Sequence, residues 1–456
     1  MLTTSDPSAV ARDVLYSQAT NPQWVRLLNT LQMNVRYRTC EGAVLHTDDG
    51  RRIVDFLSGY CVHNAGHNHP AIIQALKDEL DRKGPAMLQS HVPELAGELA
   101  SKLCQRAGGR LTKAFFACSG SEGVEAAIKM ARATTKRSAL LSAKASFHGL
   151  TCGALSLMDD PFWKEGFGPM LAGTATVAFG DLIELEHRLA TKQYAAFIVE
   201  PLQSEAGIVL PPDGYLKAAG ELCRKYGSLF VLDEVQTGLY RTGKFFASHH
   251  YEAVDPDMVV LAKALSGGLI PVSALLMTDR IYEAVFTSLK RSIVHTSTFS
   301  ENAMSMRAGL ATLAVLEDEN LGERALVMGA ILRERLTAAL SGYEMVGDVV
   351  GLGMLNGIRF QAPRSVALRV GLEAFRAVHP GMFGQVVVMR LFRDHGFLTQ
   401  MCGNNFMTLK VAPPLVIDEA DVDGFVDAMR QVVHSMHHST SFWTEALGLA
   451  RRVINV

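Results

Sequence analysis

Five short apolar runs in the sequence are each followed directly by polar or reactive side chains. These side chains include an amine, several carboxylates and an imidazole, the groups that proteins use for proton transfer and covalent catalysis. If the runs are parallel strands of one sheet, their carboxyl ends meet at a single edge, where ligands bind. The runs and the residues after them are AFFA (114–117) with Cys118 to Gly123, ALLSA (139–143) with Ser146 to Gly149, AFIV (near 195–199) with Glu200 to Glu205, LFVLD (229–233) with Asp233 to Gln236, and MVVLA (258–262) with Lys263.

Lys263 directly follows an apolar run in the segment VVLAKALSGG. Buried lysines are rare unless they are paired or functional, and burial lowers the pKa of the amine and makes it a nucleophile for a carbonyl carbon. The glycines that follow let the chain turn away. The alternative interpretation is a lysine whose ammonium reaches solvent at the edge of the sheet.

Two further segments carry an anion-binding pattern and an acid. FFACSGSEGVEAAIKMARA predicts a strand, a Ser/Gly turn and a helix whose free N–H groups favour an anion. The alternative is a simple turn with Ser119 or Ser121 as the helix cap. Asp233 in LFVLDEVQTG ends an apolar run and needs a cationic or N–H partner if it is buried. A capping aspartate is one alternative; a metal ligand beside Glu234 is another, but it has no third ligand near in sequence.

An anion site, an acid and a lysine together predict a pocket for pyridoxal phosphate. This cofactor needs a cradle for its phosphate, an acidic partner for its pyridine nitrogen and a lysine for covalent attachment. An ionised aspartate keeps the nitrogen protonated, so that the ring accepts electrons from the substrate.

The pattern of apolar residues predicts the elements that position these groups. The five runs are continuously apolar rather than alternating, which is typical of strands buried on both faces in a mostly parallel sheet. Helical patterns at 121–133 and 215–226 lie between them and give the βαβ rhythm of an α/β protein. Beyond about residue 320, helical patterns at 322–340 and 419–437 flank a strand pattern at 346–360, as in an α+β domain.

We therefore expect an α/β fold with two domains. The large cofactor-binding domain covers 71–320, and a smaller α+β domain is built from both chain ends, 1–70 and 321–456. Helical spacing from Asp6 to about Leu31 predicts one or two N-terminal helices, with Pro7 in a first turn. The turn Asp48-Asp49-Gly50 predicts a hairpin between 44–45 and 53–56.

Composition excludes several classes of function. Among 456 residues, 44 Lys and Arg against 46 Asp and Glu give 44 − 46 = −2, which lacks the basic footprint of a nucleic-acid-binding protein. No run reaches the roughly 18 apolar residues of a membrane span. The 7 cysteines occur singly, and no signal peptide is visible, so we expect a cytoplasmic protein with reduced thiols. Loop and surface positions explain the histidines of GHNHP and HSMHH, and we assign no metal.

The sequence resembles the class III, or ornithine-type, aminotransferases of the fold type I pyridoxal phosphate group. The similarity runs from EGAVLHTDDGRRIVDFLSGY, which begins at Glu41, to VAPPLVI, which ends at Ile417. Its most specific part is LDEVQTGLYRTGKFFA followed by DMVVLAKALSGGLIP.

The resemblance implies pyridoxal 5'-phosphate as cofactor and a role for each matching residue. Lys263 is implied as the Schiff-base lysine and proton carrier. The other implied cofactor contacts are Asp233 to the pyridine nitrogen, Gln236 to the ring hydroxyl, Val235 and Phe147 on the two ring faces with His148 beside them, Gly120 and Ser121 at the phosphate, and Thr298 reaching the phosphate from the partner subunit. The last role implies a homodimer with its active sites at the interface. Tyr60 and Glu205 fall where relatives line the substrate pocket.

Three departures from the family pattern bear on the substrate. Lys410 stands where many relatives have an arginine that grips the substrate carboxylate, and a lysine lacks the planar bidentate fork. We therefore expect weaker carboxylate recognition and a looser Glu205–Lys410 pair. Ser300 and Glu301 replace the usual glycines next to Thr298, and helical extensions lie at both chain ends.

These residues predict an ω-aminotransferase. A terminal amino group would pass from an amine, a diamine or an ω-amino acid to an oxo acid such as 2-oxoglutarate or pyruvate, in a ping-pong cycle. The alternative is an isomerase of the same family, an aminomutase or a racemase, which consumes no oxo acid. A non-catalytic binding protein is a third interpretation, and the presence of Lys263, Asp233 and Gln236 argues against it.

Overall fold

The computed structural model describes residues 7–88, 90–378, 382–403 and 407–454. The helices are α1 (Pro7–Ala19), α2 (Pro22–Thr30), α3 (Ser58–Cys61), α4 (Pro70–Arg82), α5 (Glu94–Ala107), α6 (Gly120–Thr135), α7 (Cys152–Ser156), α8 (Pro161–Lys164), α9 (Leu182–Ala190), α10 (Tyr215–Tyr226), α11 (Asp279–Val285), α12 (Ala303–Asp318), α13 (Leu321–Leu340), α14 (Val366–Val378), α15 (Phe383–His395), α16 (Glu419–His438) and α17 (Thr440–Ile454). Short 3₁₀ turns are found at Ala247–His250, Lys263–Ser266 and Leu289–Arg291.

The strands form three sheets. They are β1 (Tyr37–Glu41), β2 (Val44–Thr47), β3 (Arg52–Asp55), β4 (Lys113–Ala117), β5 (Ala139–Ala143), β6 (Thr174–Val177), β7 (Tyr194–Val199), β8 (Leu229–Asp233), β9 (Met258–Leu261), β10 (Ser273–Met277), β11 (Val346–Leu352), β12 (Leu355–Phe360), β13 (Phe397–Leu398), β14 (Gln400–Cys402) and β15 (Thr408–Val411).

The largest sheet has seven strands in the order β4-β10-β9-β8-β7-β5-β6. β10 is antiparallel to both of its neighbours, and the other six strands run in one direction. Successive side chains of β8 enter different cores, because Phe230 and Leu232 belong to one apolar cluster and Val231 to another. Both faces of the sheet are therefore covered, and this explains the continuously apolar strands.

One of the two smaller sheets combines strands from both ends of the chain, and the other is built from residues 346–411 alone. One has the order β1-β2-β3-β13, in which β13 is parallel to β3. The other has the order β11-β12-β15-β14 and is antiparallel. The turn at Asp48-Asp49-Gly50 joins β2 to β3, as the sequence predicts.

The two chain ends pack together. The predicted N-terminal helical segment forms two helices, α1 and α2, although Asp6 lies outside the described residues. The C-terminal helix α17 packs against α2, α14, α15 and α16, and buries Phe442, Ala446 and Leu449. In the described parts of the chain, no helix is both long and apolar enough to cross a membrane.

The α/β fold with a large, mostly parallel sheet between helices is confirmed. The sequence did not predict β6 or β10. β6, of sequence TATV, is short and half polar, and it forms an edge of the sheet. β10 is as apolar as the five strands that were predicted, but it is antiparallel to both of its neighbours, so the polar residues after it do not join the groups at the ends of the parallel strands.

Candidate active site

A cavity of about 390 Å³ opens at the carboxyl ends of the parallel strands. Each of the five polar segments that follow β4, β5, β7, β8 and β9 contributes to its lining, so the predicted convergence is observed. Its lining residues are Val62, Cys118, Ser119, Gly120, Ser121, Phe147, His148, Gly149, Glu200, Glu205, Asp233, Val235, Gln236, Ala262, Lys263, Ser266, Gly268, Leu269, Ile270, Pro271 and Val272.

Lys263 begins the 3₁₀ turn after β9 and lines the cavity. Its backbone has a φ of 46°, in the left-handed region that non-glycine residues rarely adopt. Gly267 and Gly268, with φ of 62° and 80°, continue the reversal. Burial lowers the pKa of Lys263, opposed in part by the charge of Glu205. The amine is therefore more easily deprotonated than a surface lysine.

Asp233 ends β8 and is paired with His148. His148 Nδ1 lies 2.8 Å from Asp233 Oδ2, and both side chains are buried. The N–H of Val235 donates to Asp233 Oδ1 over 3.1 Å. Burial alone would lower the pKa of His148, but the hydrogen bond and charge of Asp233 outweigh it and raise that pKa. His148 Nε2 is buried with no hydrogen-bond partner in the described chain.

The N-terminus of α6 forms one wall of the cavity. Ser119 caps the helix: its side chain accepts from Glu122 N, and the Glu122 carboxylate accepts from the N–H groups of Cys118 and Ser119. The N–H groups of Gly120 and Ser121 stand at the first helical positions, where a helix supplies no partner. They are available to an anion, and the helix dipole favours one there.

Gly149 allows the next segment to approach this helix end closely. It has a φ of 116°, and a Cβ at this position would lie 2.1 Å from Ser121 Oγ. The N–H of Leu150 donates to the same Ser121 hydroxyl over 3.2 Å, which leaves the hydroxyl proton free to be donated.

These residues fit pyridoxal phosphate. The cavity wall includes a lysine of lowered pKa, a buried carboxylate for the pyridine nitrogen, and a helix N-terminus with a serine hydroxyl for the phosphate. The cradle at Gly149 has no room for a side chain, and the imidazole beside Asp233 retains an unpartnered nitrogen. Lys263, Asp233, Gly120 and Ser121 would hold the group.

The predicted ring contacts also lie in the cavity wall. Val235 approaches the helix end, since a Cβ on Gly120 would lie 3.0 Å from Val235 Cγ1. Phe147 is half-buried and meets Trp163 edge to face at 5.8 Å. Gln236 is buried, and its amide donates to Glu205 Oε1 over 3.3 Å and to the carbonyl oxygen of Tyr60 over 3.4 Å.

The prediction of a loose Glu205–Lys410 pair is wrong. Lys410 lies on β15, between β12 and β14, with its side chain 1% exposed, and its ammonium contacts Glu205 Oε1 directly. A buried ammonium needs such a partner. Burial alone would raise the pKa of Glu205, but the charges of Lys410 and Lys263 outweigh it and hold that pKa below its usual value. Lys410 stays behind Glu205 and is not among the described residues that line the cavity.

Tyr60 and Thr298 also lie outside the lining of this cavity among the described residues. Tyr60 belongs to α3, one left-handed turn in which Ser58, Gly59, Tyr60 and Cys61 have φ of 47°, 59°, 63° and 66°. Its side chain is exposed, and its backbone oxygen reaches Gln236. Thr298 is exposed in a loop that also exposes Phe299.

Sequence reasoning missed two parts of the cavity. Glu200 was noted at a strand end but was given no role, although it is buried and lines the site. The loop 268–272 forms an apolar wall. The available signals were the conspicuous carboxylate after an apolar strand and the Gly-Gly pair followed by Pro271.

Comparison with known proteins gives consistent matches. The family model for class III aminotransferases matches residues 28–433. Aminotransferase PigE of Serratia is 34% identical in an alignment of length 448 that covers 91% of this chain and 52% of PigE, so the chain spans about half the length of that relative. Putrescine aminotransferase of Pectobacterium atrosepticum is 33% identical in an alignment of length 432 that covers 91% of this chain and 87% of the relative.

A solved structure agrees over nearly the whole chain. Ornithine aminotransferase of Toxoplasma gondii, described with partial occupancy of pyridoxal phosphate at its active site, has a TM-score of 0.79 and 26% identity. The match covers 95% of this chain and 99% of that one.

Proposed function

The chain belongs to the class III aminotransferases, which depend on pyridoxal phosphate, and we propose that it acts on terminal amino groups. The donor is an amine, a diamine or an ω-amino acid, and the acceptor is an oxo acid such as 2-oxoglutarate or pyruvate. Donor and acceptor use the same site in turn, in a ping-pong cycle.

Bound pyridoxal phosphate supplies a carbon that exchanges amino groups and a ring that accepts electrons. Lys263 anchors it, and the lowered pKa of the free amine suits proton transfer at the substrate carbon that carries the nitrogen. Asp233, held in place by His148 and by the N–H of Val235, would be the partner of the pyridine nitrogen. The apolar loop 268–272 limits the access of water.

The observation that carries the donor preference is the buried Glu205–Lys410 pair. The ammonium of Lys410 forms an ion pair with Glu205 and is not free to bind a substrate carboxylate. No arginine lines the cavity within the described chain. Lys263 is the one lysine among the described lining residues and would be taken by the cofactor, so a substrate carboxylate meets no free ammonium or guanidinium in this wall. A donor whose far end carries no carboxylate suits such a wall better than one that carries it. The similarity to a putrescine aminotransferase supports a diamine.

The same reasoning extends to the assembly. Thr298 is exposed and outside the cavity of its own subunit, which supports the role of a phosphate contact in a partner subunit. The enzyme is then a homodimer with shared sites. The scattered single cysteines support a cytoplasmic location.

Absorbance of the holoenzyme tests this function. A diamine, a monoamine and an ω-amino acid of matched chain length, and an α-amino acid, are added separately, followed by an oxo acid. The cofactor band should bleach with the diamine or monoamine and return with 2-oxoglutarate or pyruvate. Bleaching by the α-amino acid alone would contradict the donor preference. Turnover without consumption of an oxo acid would point to an isomerase.

A further inference from the structure

We propose that Glu200 is a positioning residue that couples the His148–Asp233 pair to the loop that carries Glu205. It thereby links the protonation of the cofactor-facing groups to the geometry of the substrate-facing carboxylate. The coupling rests on the proposed function only in calling Glu205 substrate-facing.

Glu200 stands between two loops of the site. It directly follows β7, which lies between β5 and β8 in the large sheet, so it stands between the loops that leave those two strands. Its side chain is buried and lines the cavity. It touches the site without being one of the groups that hold the cofactor.

Both carboxylate oxygens of Glu200 accept a backbone hydrogen bond, each from a different loop. Glu200 Oε1 accepts from the N–H of Phe147 over 3.1 Å, and Phe147 immediately precedes His148. Glu200 Oε2 accepts from the N–H of Ser204 over 3.1 Å, and Ser204 immediately precedes Glu205. One carboxylate therefore fixes two loops, each next to a functional side chain. A glutamine at position 200 has a single carbonyl oxygen, so it could accept only one of these two hydrogen bonds.

The surroundings of Glu200 favour its protonated form. The charged groups that act on Glu200 are His148 and Asp233, and no Lys or Arg forms an ion pair with it in the described chain. Burial raises the pKa of Glu200 to about 7, with Asp233 acting in the same direction and His148 against it. Glu200 therefore takes up a proton in the neutral range, and the protonated carboxyl, which has only one full acceptor oxygen left, is the weaker tether.

Two substitutions of Glu200 and one control test the coupling. Glu200→Gln keeps the size and removes the titration. Glu200→Asp keeps a titrating carboxyl that is too short to span both N–H groups. Glu221→Gln, at an exposed position of α10, is the matched control. Circular dichroism establishes folding for each variant.

Two pH titrations of the holoenzyme are then compared. The first is the infrared carbonyl band of a protonated carboxyl, and the second is the absorbance of the bound cofactor. Glu234 is a second buried carboxyl of raised pKa, so the informative quantity is the difference between wild type and each variant. Donor KM and kcat are measured alongside.

In Glu200→Gln we expect the neutral-range infrared component to disappear and the absorbance titration to move by about one pH unit. In Glu200→Asp both titrations should remain, while donor KM rises about tenfold, since the Glu205 loop loses its tether. Glu221→Gln should match wild type.

The inference is overturned if Glu200→Gln folds and keeps the wild-type infrared component and absorbance titration. It is equally overturned if Glu200→Asp keeps the wild-type KM. Failure of the proposed function would look different: wild type would transaminate no terminal amine, while the infrared and absorbance differences between variants would persist.

Discussion

At the scale of single residues, the site depends on charges that are kept out of water and balanced against each other. The charge of Glu205 acts on the amine of Lys263, Asp233 is hydrogen-bonded to His148, and Glu205 forms an ion pair with Lys410. The family pattern allowed all five to be placed from the sequence. It could not show that Lys410 is buried, because burial there depends on the packing of β12 and β14 around β15.

The ion pair with Glu205 makes the buried Lys410 important for stability. Replacing Lys410 by Met leaves the Glu205 carboxylate, whose side chain is 31% exposed, without its cation, and we expect the free energy of unfolding to fall by about 2 kcal/mol. Chemical denaturation measures the change. Lys225→Met is the matched control, because it breaks an exposed pair with Glu186 and should have a far smaller effect. Equal losses in the two variants would contradict the account.

The raised pKa of Glu200 predicts a pH-dependent stability. The pKa is about 7 in the folded chain, against an ordinary value of 4.5, so between these values the folded state holds a proton that the unfolded state has released. The free energy of unfolding contributed by Glu200 is therefore lost as pH rises through this window. Relative to Glu200→Gln, wild type should lose stability between about pH 5 and pH 8. A difference that is constant with pH would contradict the prediction.

At the scale of elements, the sequence predicts the buried strands from their apolar runs but does not predict the conformation of the loops. Runs such as LFVLD and ALLSA coincide with β8 and β5, since strands buried on both faces need continuous apolar residues. The left-handed turn at Ser58–Cys61 was not foreseen. It is held by tertiary contacts: Asp55 accepts from the N–H groups of Leu57 and Ser58, and Ser58 Oγ donates to the carbonyl of Ala412.

The contact between the Gly149 loop and α6 predicts a cofactor-binding defect. A Cβ in Gly149→Ala would collide with Ser121 Oγ and would also oppose a φ of 116°. We expect the Kd for pyridoxal phosphate to rise by about tenfold or more, because Ser121 is displaced from the phosphate cradle. Equilibrium binding to the apoenzyme measures this change.

Gly50→Ala is the matched control for Gly149→Ala. Gly50 has a φ of 83°, but a Cβ there would meet nothing within 4 Å. Gly50→Ala should lower the free energy of unfolding, because alanine disfavours a positive φ, and should leave the Kd for pyridoxal phosphate unchanged. An unchanged Kd in Gly149→Ala would show that the phosphate does not rest on Ser121.

At the scale of the whole molecule, Arg241 joins distant parts of the chain. Its guanidinium is fully buried and donates to Asn64, to Ser58 Oγ and to the carbonyls of Met354 and Pro413. Segments before, within and after the large sheet therefore share one hydrogen-bonding centre. Neighbours from sequence positions this far apart become apparent only in the folded chain.

Shared sites predict complementation between two inactive variants. Lys263→Ala lacks the anchoring amine, and Thr298→Asp places a negative charge where the partner's phosphate would bind. In a mixed dimer, the subunit with Lys263 receives the intact Thr298 of its partner, so one site of two is complete. Equal mixing with random exchange should restore about a quarter of wild-type activity. No recovery, with exchange verified by mass, would place Thr298 in its own subunit's site.

Reductive trapping shows whether Lys263 anchors the cofactor. The holoenzyme is treated with sodium borohydride, digested, and its peptides are analysed by mass spectrometry, with Lys263→Ala treated in parallel. We expect a phosphopyridoxyl group on Lys263 in wild type and on no lysine in the variant. A label on a different lysine such as Lys144, or a labelled variant, would contradict it.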